Sequence, residues 1–211
     1  MLKVGVLVSG GGTNLQAILD KKAQGGLPEC EFVTVVASKP GVYALERAAK
    51  FGVPGCVICK KDYGSQREYD LALAEHFQSL GVGLVVMAGF LTILGEAFME
   101  AYAGKIINVH PALIPSFCGP GYYGLQPHIA ALEYGVKVTG ATVHFVELEA
   151  DSGPIILQKA VNILPGDTPE ILQKRVMEEA EWNILPEAIR LFSEGRLEIS
   201  GRHVIIKEEQ K

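Results

Sequence analysis

Short apolar runs alternate along the chain with segments in which apolar residues recur every three or four positions. In the first half, the apolar runs predict strands at 2–8, 31–38, 55–59, 83–90 and 105–109. The recurring pattern predicts helices between these strands, at 13–24, 42–52, 65–81 and 96–102. Strand–helix alternation of this kind is typical of a parallel sheet covered by helices. We therefore predict an α/β fold with an open, doubly wound, mostly parallel sheet that carries helices on both faces.

The alternation stops at a segment rich in proline, glycine and aromatic residues, which extends over 110–127. A connection of that length is usually functional or mobile. The chain then predicts a helix at 127–135, strands at 137–147 and 154–163, a long helix at 166–195 and a hairpin at 196–207. Pro169 suits the first turn of the long helix, and Pro186 predicts a kink within it.

Composition and charge narrow the possible functions of this chain. Its formal net charge of −5 over 211 residues provides no basic excess to neutralise nucleic-acid phosphates. No apolar run approaches the roughly 20 residues that a membrane-spanning helix needs. The four cysteines are too scattered for a disulfide framework, and the first apolar run leads into glycines rather than a signal-peptide cleavage site. We therefore expect a cytoplasmic protein with no nucleic-acid or membrane partner.

A run of three glycines at 10–12 follows the first predicted strand and opens the first helix. Glycines let the backbone approach a ligand closely, and a helix N-terminus offers free N–H groups to an anion. The run lacks the third glycine of a dinucleotide fingerprint, because Leu15 stands there, and it lacks the Lys-Ser/Thr pair of a P-loop. We predict a site for one phosphate group at Gly12, Thr13 and Asn14. A glycine turn that serves only strand–helix packing remains the alternative.

Asn108 and His110 lie two residues apart at the carboxyl end of a predicted parallel strand, and Pro111 follows directly. Side chains two apart in a strand point to the same face, and open α/β sheets bind ligands at this end of the strands. An amide and an imidazole suit acyl transfer, in which one group holds the developing oxyanion and the other also moves protons. The alternative is a histidine with only a structural role.

A histidine with the ordinary pKa of about 6.5 is mostly neutral at pH 7, so a nearby carboxylate is needed to raise the pKa of His110. Asp151, in the predicted turn between two strands, is the best candidate. Thr142 and His144 form a second pair two residues apart on the preceding strand. His144 fits a structural role nearly as well as a functional one.

Five motifs, in order along nearly the whole chain, resemble the phosphoribosylglycinamide formyltransferase family of folate-dependent formyltransferases. The motifs are SGGGTNLQA at 9–17, NVHPALIPSF at 108–117, GATVHFV at 140–146, DSGPIILQ at 151–158 and EWNILP at 181–186. The resemblance implies a single formyltransferase domain over 1–211. Its first half, 1–104, would bind the phosphate, and its second half, 105–211, would hold the catalytic and folate-binding residues.

The family's activity is transfer of the formyl group of 10-formyltetrahydrofolate to the amine of 5′-phosphoribosylglycinamide, a step of de novo purine biosynthesis. The resemblance then implies that Asn108 and His110 stabilise the oxyanion and that Asp151 raises the pKa of His110. It also implies ribose-phosphate contacts from Gly12, Thr13, Asn14 and Glu181, and a substrate junction lined by Thr142 and His144. On the folate side it implies a pterin site flanked by Leu91, Thr92, Ile93 and Leu94, with Asn108 as a further folate contact. It implies no metal, and a monomer or weak homodimer that acts on small molecules.

The resemblance departs from its best-known members on the folate side. Thr92 replaces an arginine, Gln66 followed by Arg67 replaces an arginine directly after a serine, and the loop at 116–128 is longer. Formyltetrahydrofolate deformylase is the nearest alternative, but it carries an N-terminal regulatory domain, whereas the first strand here begins at Leu2. Methionyl-tRNA formyltransferase needs a basic tRNA surface, and a non-catalytic phosphate sensor leaves the Asn/His/Asp set without a use.

Overall fold

The computed structural model of the protein describes residues 1–208. The chain divides into two compact units, Met1–Asn108 and Val109–Lys211. Each unit has its own secondary structure and its own candidate functional residues. The division of function between the two halves of the chain stays a prediction.

The first unit is built from parallel strands joined by helices. Its elements are β1 (Leu2–Val8), α1 (Thr13–Ala23), β2 (Cys30–Ala37), α2 (Tyr43–Lys50), β3 (Gly55–Val57), a 3₁₀ turn (Lys60–Asp62), α3 (Gln66–Ser79), β4 (Leu84–Met87), α4 (Glu96–Ala101) and β5 (Ile106–His110), whose last two residues belong to the second unit. The strand order is β3-β2-β1-β4-β5, and the pairings between neighbours are parallel. The order reverses between β1 and β4, and such a reversal is where open α/β sheets bind ligands.

Apolar side chains from the strands and helices of the first unit form its core. β1 is buried from Val4 to Val8, and Phe77 of α3 is also completely buried. A Cβ atom at Gly5 would lie 2.5 Å from the Phe77 ring. The missing side chain at Gly5 therefore lets this aromatic ring pack directly on the strand.

The second unit contains α5 (Gln126–Tyr134), β6 (Val138–Phe145), β7 (Ile155–Asn162), α6 (Pro169–Val176), α7 (Trp182–Ser193), β8 (Leu197–Ser200) and β9 (His203–Ile206). β6 pairs antiparallel with β7, and β8 pairs antiparallel with β9. β9 lies parallel to β7 through the pair Ile155 and His203. The connection between β6 and β7 carries Asp151.

The predicted class, an α/β fold with a mostly parallel sheet, is confirmed by these pairings. The predicted long helix at 166–195 is wrong in detail, because α6 and α7 are separated by a π-helical segment, Met177–Glu181. Pro186 lies inside α7, where it has no N–H to donate to the preceding turn. None of the helices within residues 1–208 has the length and apolar character needed to cross a membrane.

Candidate active site

The second unit holds a cluster of polar side chains around His110, which ends β5 and is only 4% exposed. Its Nδ1 lies 3.5 Å from Oδ2 of Asp151, as the sequence predicted for these two residues. Its Nε2 lies 2.8 Å from the carbonyl oxygen of Phe117. Because a carbonyl only accepts hydrogen bonds, Nε2 carries the proton of the neutral ring.

Asp151 also lies beside a second imidazole. Its Oδ1 is 3.6 Å from Nε2 of His144, while the backbone N–H of Gly119 donates to its Oδ2 at 2.8 Å. Nδ1 of His144 lies 2.7 Å from the carbonyl oxygen of Phe145 and therefore donates to it. One carboxylate thus faces two imidazoles, and each imidazole uses its other nitrogen to donate to the backbone.

The backbone at two of these contacts has an uncommon conformation. Phe117 and Asp151 are the non-glycine residues with positive φ in the described part of the chain, at 50° and 55°. Such conformations carry strain of about 1–3 kcal/mol and persist where the surrounding structure holds them. Both residues contact His110, so the strain is concentrated at this cluster.

The pKa directions in the cluster follow from burial and charge. Burial lowers the pKa of His110 below its ordinary value, and the opposing effects of Asp151 and the Phe117 carbonyl do not overcome it. Burial alone would raise the pKa of Asp151, but the interactions with His144, His110 and the Gly119 N–H together bring it below its ordinary value. Asp151 thus raises the pKa of His110, in the direction expected from the sequence, but burial lowers this pKa by more. In the free protein a carboxylate therefore faces a mostly neutral imidazole at pH 7.

His128 is a further buried imidazole that the sequence analysis did not single out. It lies in α5 and is completely buried, and neither ring nitrogen has a hydrogen-bond partner among residues 1–208. Burial, with a smaller contribution from repulsion by His110, lowers the pKa of His128 to about 4. His128 is therefore neutral at physiological pH.

Thr142 occupies a different position from the one predicted. Its side chain is completely buried, and its hydroxyl donates to the carbonyl of Ala112 and accepts from the N–H of Ile114 and from Gln158. A hydroxyl with these three partners has no bond left for a substrate. The prediction that Thr142 lines the substrate junction is corrected accordingly, because Thr142 instead holds the segment that follows His110.

His144 is 1% exposed. Its Nε2 lies 3.6 Å from Oδ1 of Asp151, and its place at the substrate junction stays a prediction.

In the first unit, the glycine loop leads into α1 at Thr13, and Gly12 precedes the helix with φ 73° and no side-chain cap. A Cβ atom at Gly12 would lie 2.6 Å from Cβ of Ala44, whereas a Cβ atom at Gly10 or Gly11 would meet nothing within 4 Å. Arg47 supports the loop by donating from Nε to the carbonyl of Gly11 at 2.8 Å. The loop is therefore fixed on one side and open on the other, as an anion site requires.

The remaining predicted residues are placed as follows. Asn108 is half-buried in β5, two residues before His110, and Glu181 is 4% exposed at the end of the π-helical segment. Leu91 and Ile93 are exposed to 59% and 75%, Thr92 is half-buried and Leu94 is buried. The substrate contacts assigned to these residues stay predictions.

Sequence reasoning did not find Phe117, Gly119, His128, Ser9 and Arg47. Phe117 and Gly119 act through backbone atoms, so their side chains give no signal. Ser9, whose Oγ accepts from the backbone N–H of Leu91 at 2.9 Å, was identifiable by its place directly after β1. His128 was identifiable as a histidine in the apolar pattern of a predicted helix. Among residues 1–208, no group of three or more His, Cys, Asp or Glu side chains is arranged to hold a metal ion.

Comparison with known proteins relates this geometry to a family. A family described as Formyl transferase matches residues 2–189. Phosphoribosylglycinamide formyltransferase of Haemophilus influenzae is 41% identical over 199 residues, which cover 94% of this chain and 91% of that protein. The trifunctional purine biosynthetic protein adenosine-3 of Gallus gallus is 43% identical over 198 residues, which cover 94% of this chain and 19% of that protein. The chain thus spans about a fifth of the trifunctional relative.

A solved structure agrees with these sequence relationships. The crystal structure of glycinamide ribonucleotide transformylase 1 from Symbiobacterium toebii has a TM-score of 0.93 and 47% identity, and the match covers 99% of this chain and 95% of that chain. The likeness extends over both compact units. The chain belongs to the formyl transferase family, among the phosphoribosylglycinamide formyltransferases.

Proposed function

We propose that the protein transfers the formyl group of 10-formyltetrahydrofolate to the amine of 5′-phosphoribosylglycinamide. The products are the N-formyl ribotide and tetrahydrofolate, and the reaction is a step of de novo purine biosynthesis. The observation that carries the proposal is the buried pair His110 and Asp151, whose ring and carboxylate lie 3.5 Å apart. A buried imidazole beside a fixed carboxylate is suited to proton transfer during acyl transfer.

Proton balance defines the roles of the catalytic residues. The amine loses one proton when it bonds to the formyl carbon, and the folate nitrogen gains one proton when its bond to that carbon breaks. His110 can hold this proton between the two events, because both of its ring nitrogens already face oxygen acceptors, on Phe117 and Asp151. In the proposal, Asn108 donates its side-chain N–H to the oxygen that gains charge, and Asp151 stabilises the imidazolium that forms.

The proposal assigns the ribose phosphate to the glycine loop and the first turn of α1. Two observations support this assignment. The space above Gly10 and Gly11 is open, and the N–H groups of Thr13 and Asn14 begin an α-helix that has no side-chain cap. Arg47, which bonds the Gly11 carbonyl, adds a positive charge beside the loop. Glu181 is assigned to the ribose hydroxyls.

The proposal assigns the pterin of the folate to Leu91, Thr92, Ile93 and Leu94. The exposure of Leu91 and Ile93 supports this assignment, because covering exposed apolar side chains with a flat aromatic ligand is favourable in free energy. His144 is proposed to support Asp151 at the substrate junction, and Thr142 to hold the backbone after His110 rather than to contact substrate. A cytoplasmic location and a monomeric or weakly dimeric state belong to the same proposal.

The test is formyl transfer by the purified protein. With 10-formyltetrahydrofolate and 5′-phosphoribosylglycinamide together, we expect tetrahydrofolate and the N-formyl ribotide to appear in equal amounts. With the folate alone, we expect no tetrahydrofolate. Release of tetrahydrofolate and formate at a rate that ignores the ribotide would contradict the transferase and indicate hydrolysis instead.

A further inference from the structure

The segment 89–95, which follows β4, is held to the rest of the first unit at both of its ends. At the first end, the backbone N–H of Leu91 donates to Oγ of Ser9 at 2.9 Å, and that hydroxyl lies 2.8 Å from Oγ of Ser38. The N–H of Ser9 donates to the carbonyl of Gly89. These bonds join the loop after β4 to the ends of β1 and β2, beside the reversal of strand order.

At the other end, the segment is hydrogen-bonded to Asp70 of α3. Asp70 is 1% exposed, and its Oδ1 accepts from the N–H of Gly95 at 3.0 Å and from Nε2 of Gln66 at 2.6 Å. Nε2 of Gln66 also donates to the carbonyl of Ile93 at 3.2 Å. A Cβ atom at Gly95 would overlap Oδ2 of Asp70, so the close approach requires glycine at this position.

The carboxylate of Asp70 is stabilised by neutral donors. Within residues 1–208 no lysine, arginine or histidine forms an ion pair with it. Burying a carboxylate without a cation is unfavourable for stability alone. What the arrangement achieves is a fixed conformation for a short segment whose Leu91 and Ile93 side chains lie in solvent.

We propose that Asp70, together with Gln66, is a positioning residue for the folate substrate. The pair fixes segment 91–95 before the substrate arrives, so that binding does not have to order it. The inference rests on the proposed function, because the ligand of the segment is the pterin of the formyl folate. It assigns a use to Gln66, where the family resemblance left the contact open.

The test compares kinetics for the two substrates in Asp70→Ala. We expect KM for 10-formyltetrahydrofolate and Kd for tetrahydrofolate, measured by isothermal titration calorimetry, to rise roughly tenfold. kcat and KM for the ribotide should stay within about twofold of wild type. Asp70→Asn keeps an acceptor oxygen for Gly95 and Gln66 and should restore most of the folate affinity, an outcome that loss of a buried charge alone does not predict.

Glu75→Gln is the matched control, since it removes a carboxylate from an exposed position of the same helix. Gln66→Ala removes only the bonds to Asp70 and the Ile93 carbonyl and should raise the folate KM by roughly threefold. Gln66→Ala therefore tests the proposal even if Asp70→Ala does not fold. An unchanged folate KM, or an equal rise in both KM values, overturns the proposal. Wild-type protein without transferase activity contradicts the proposed function instead, while the calorimetric comparison still tests the positioning.

Discussion

At the scale of single residues, His110 combines two opposing demands. Both of its ring nitrogens face oxygen acceptors, which favours the imidazolium, whereas burial lowers its pKa and favours the neutral ring. The resting protein therefore has a neutral base that needs little further rearrangement to hold a proton. Negative charge that develops on a substrate oxygen would move the balance toward the imidazolium at the moment when it is needed.

Removing either partner of this pair should stop the chemistry without unfolding the protein. We expect His110→Ala and Asp151→Asn to lower kcat by at least about 100-fold, the low end for a residue that transfers protons. KM for the ribotide should change little, because the predicted phosphate contacts are elsewhere in the chain. Initial rates at saturating substrates measure the effect. Glu147→Gln, an exposed charge removal in the connection that carries Asp151, is the control, and variants within a few-fold of wild type would contradict the mechanism.

At the scale of elements, the loop between β1 and α1 allows a ligand site to be distinguished from a packing turn. A methyl group at Gly11 would meet nothing within 4 Å, whereas one at Gly12 would meet Ala44. The backbone at Gly12 also has a φ of 73°, which disfavours alanine. We expect Gly11→Ala to leave the free energy of unfolding within about 0.5 kcal/mol and to raise the ribotide KM at least roughly tenfold. Gly12→Ala should also lose about 1–3 kcal/mol of stability.

The two glycine variants are compared by urea unfolding and by steady-state kinetics with each substrate. The folate KM of Gly11→Ala serves as the internal control and should not change. A Gly11→Ala protein with normal stability and normal ribotide KM would mean that the open space above the loop holds no phosphate. The loop would then be a packing turn.

The connection between β6 and β7 depends on a second glycine. A Cβ atom at Gly153 would overlap the backbone carbonyl of Phe145, which no rotamer change can relieve. Since Asp151 lies two residues earlier, we expect Gly153→Ala to lower kcat at least about tenfold and stability by about 2 kcal/mol. Ser152→Ala, in the same turn, should remain within about twofold of wild-type kcat. If Gly153→Ala has the same kcat as Ser152→Ala, the turn accommodates the added methyl group without displacing Asp151.

Which elements the sequence could predict depended on how local their signals are. Strand and helix positions follow from periodicity, so β1 and α3 were recognisable. The π-helical segment 177–181 was not, because no residue type marks a widened turn. The burial of Thr142 was also missed, since its partners at Ala112 and Gln158 are 30 and 16 residues away.

At the scale of the whole molecule, the class of fold was predictable because alternating strands and helices admit few arrangements. The candidate site was predictable only in part. The pair His110 and Asp151 was found by matching a base to the few carboxylates outside helices. The bond between Ser9 and Leu91 links residues 82 positions apart, and only the folded chain brings them together. Burial, which sets the direction of the His110 pKa, is likewise a property of the folded molecule.

Acid stability is a whole-molecule property to which His128 contributes. Its pKa of about 4 in the folded protein lies below the value of about 6.5 expected in the unfolded chain. Below pH 6.5 the unfolded chain therefore binds more protons than the folded protein, and stability falls as the pH drops toward 4. His110 and Asp151, whose pKa values are also lowered, act in the same direction.

Replacing His128 by phenylalanine should remove its share of this pH dependence. Between pH 7 and pH 5.5 we expect wild type to lose about 1 kcal/mol more of its free energy of unfolding than His128→Phe loses. At pH 7 the variant should be as stable as wild type, because neither ring nitrogen of His128 has a hydrogen-bond partner among residues 1–208 to lose. Urea unfolding at both pH values measures the difference, with His203→Gln, at an exposed histidine, as the control. If His128→Phe and wild type lose the same stability on acidification, the unfolded and folded chains bind protons equally at this position. The buried imidazole would then have a partner when charged.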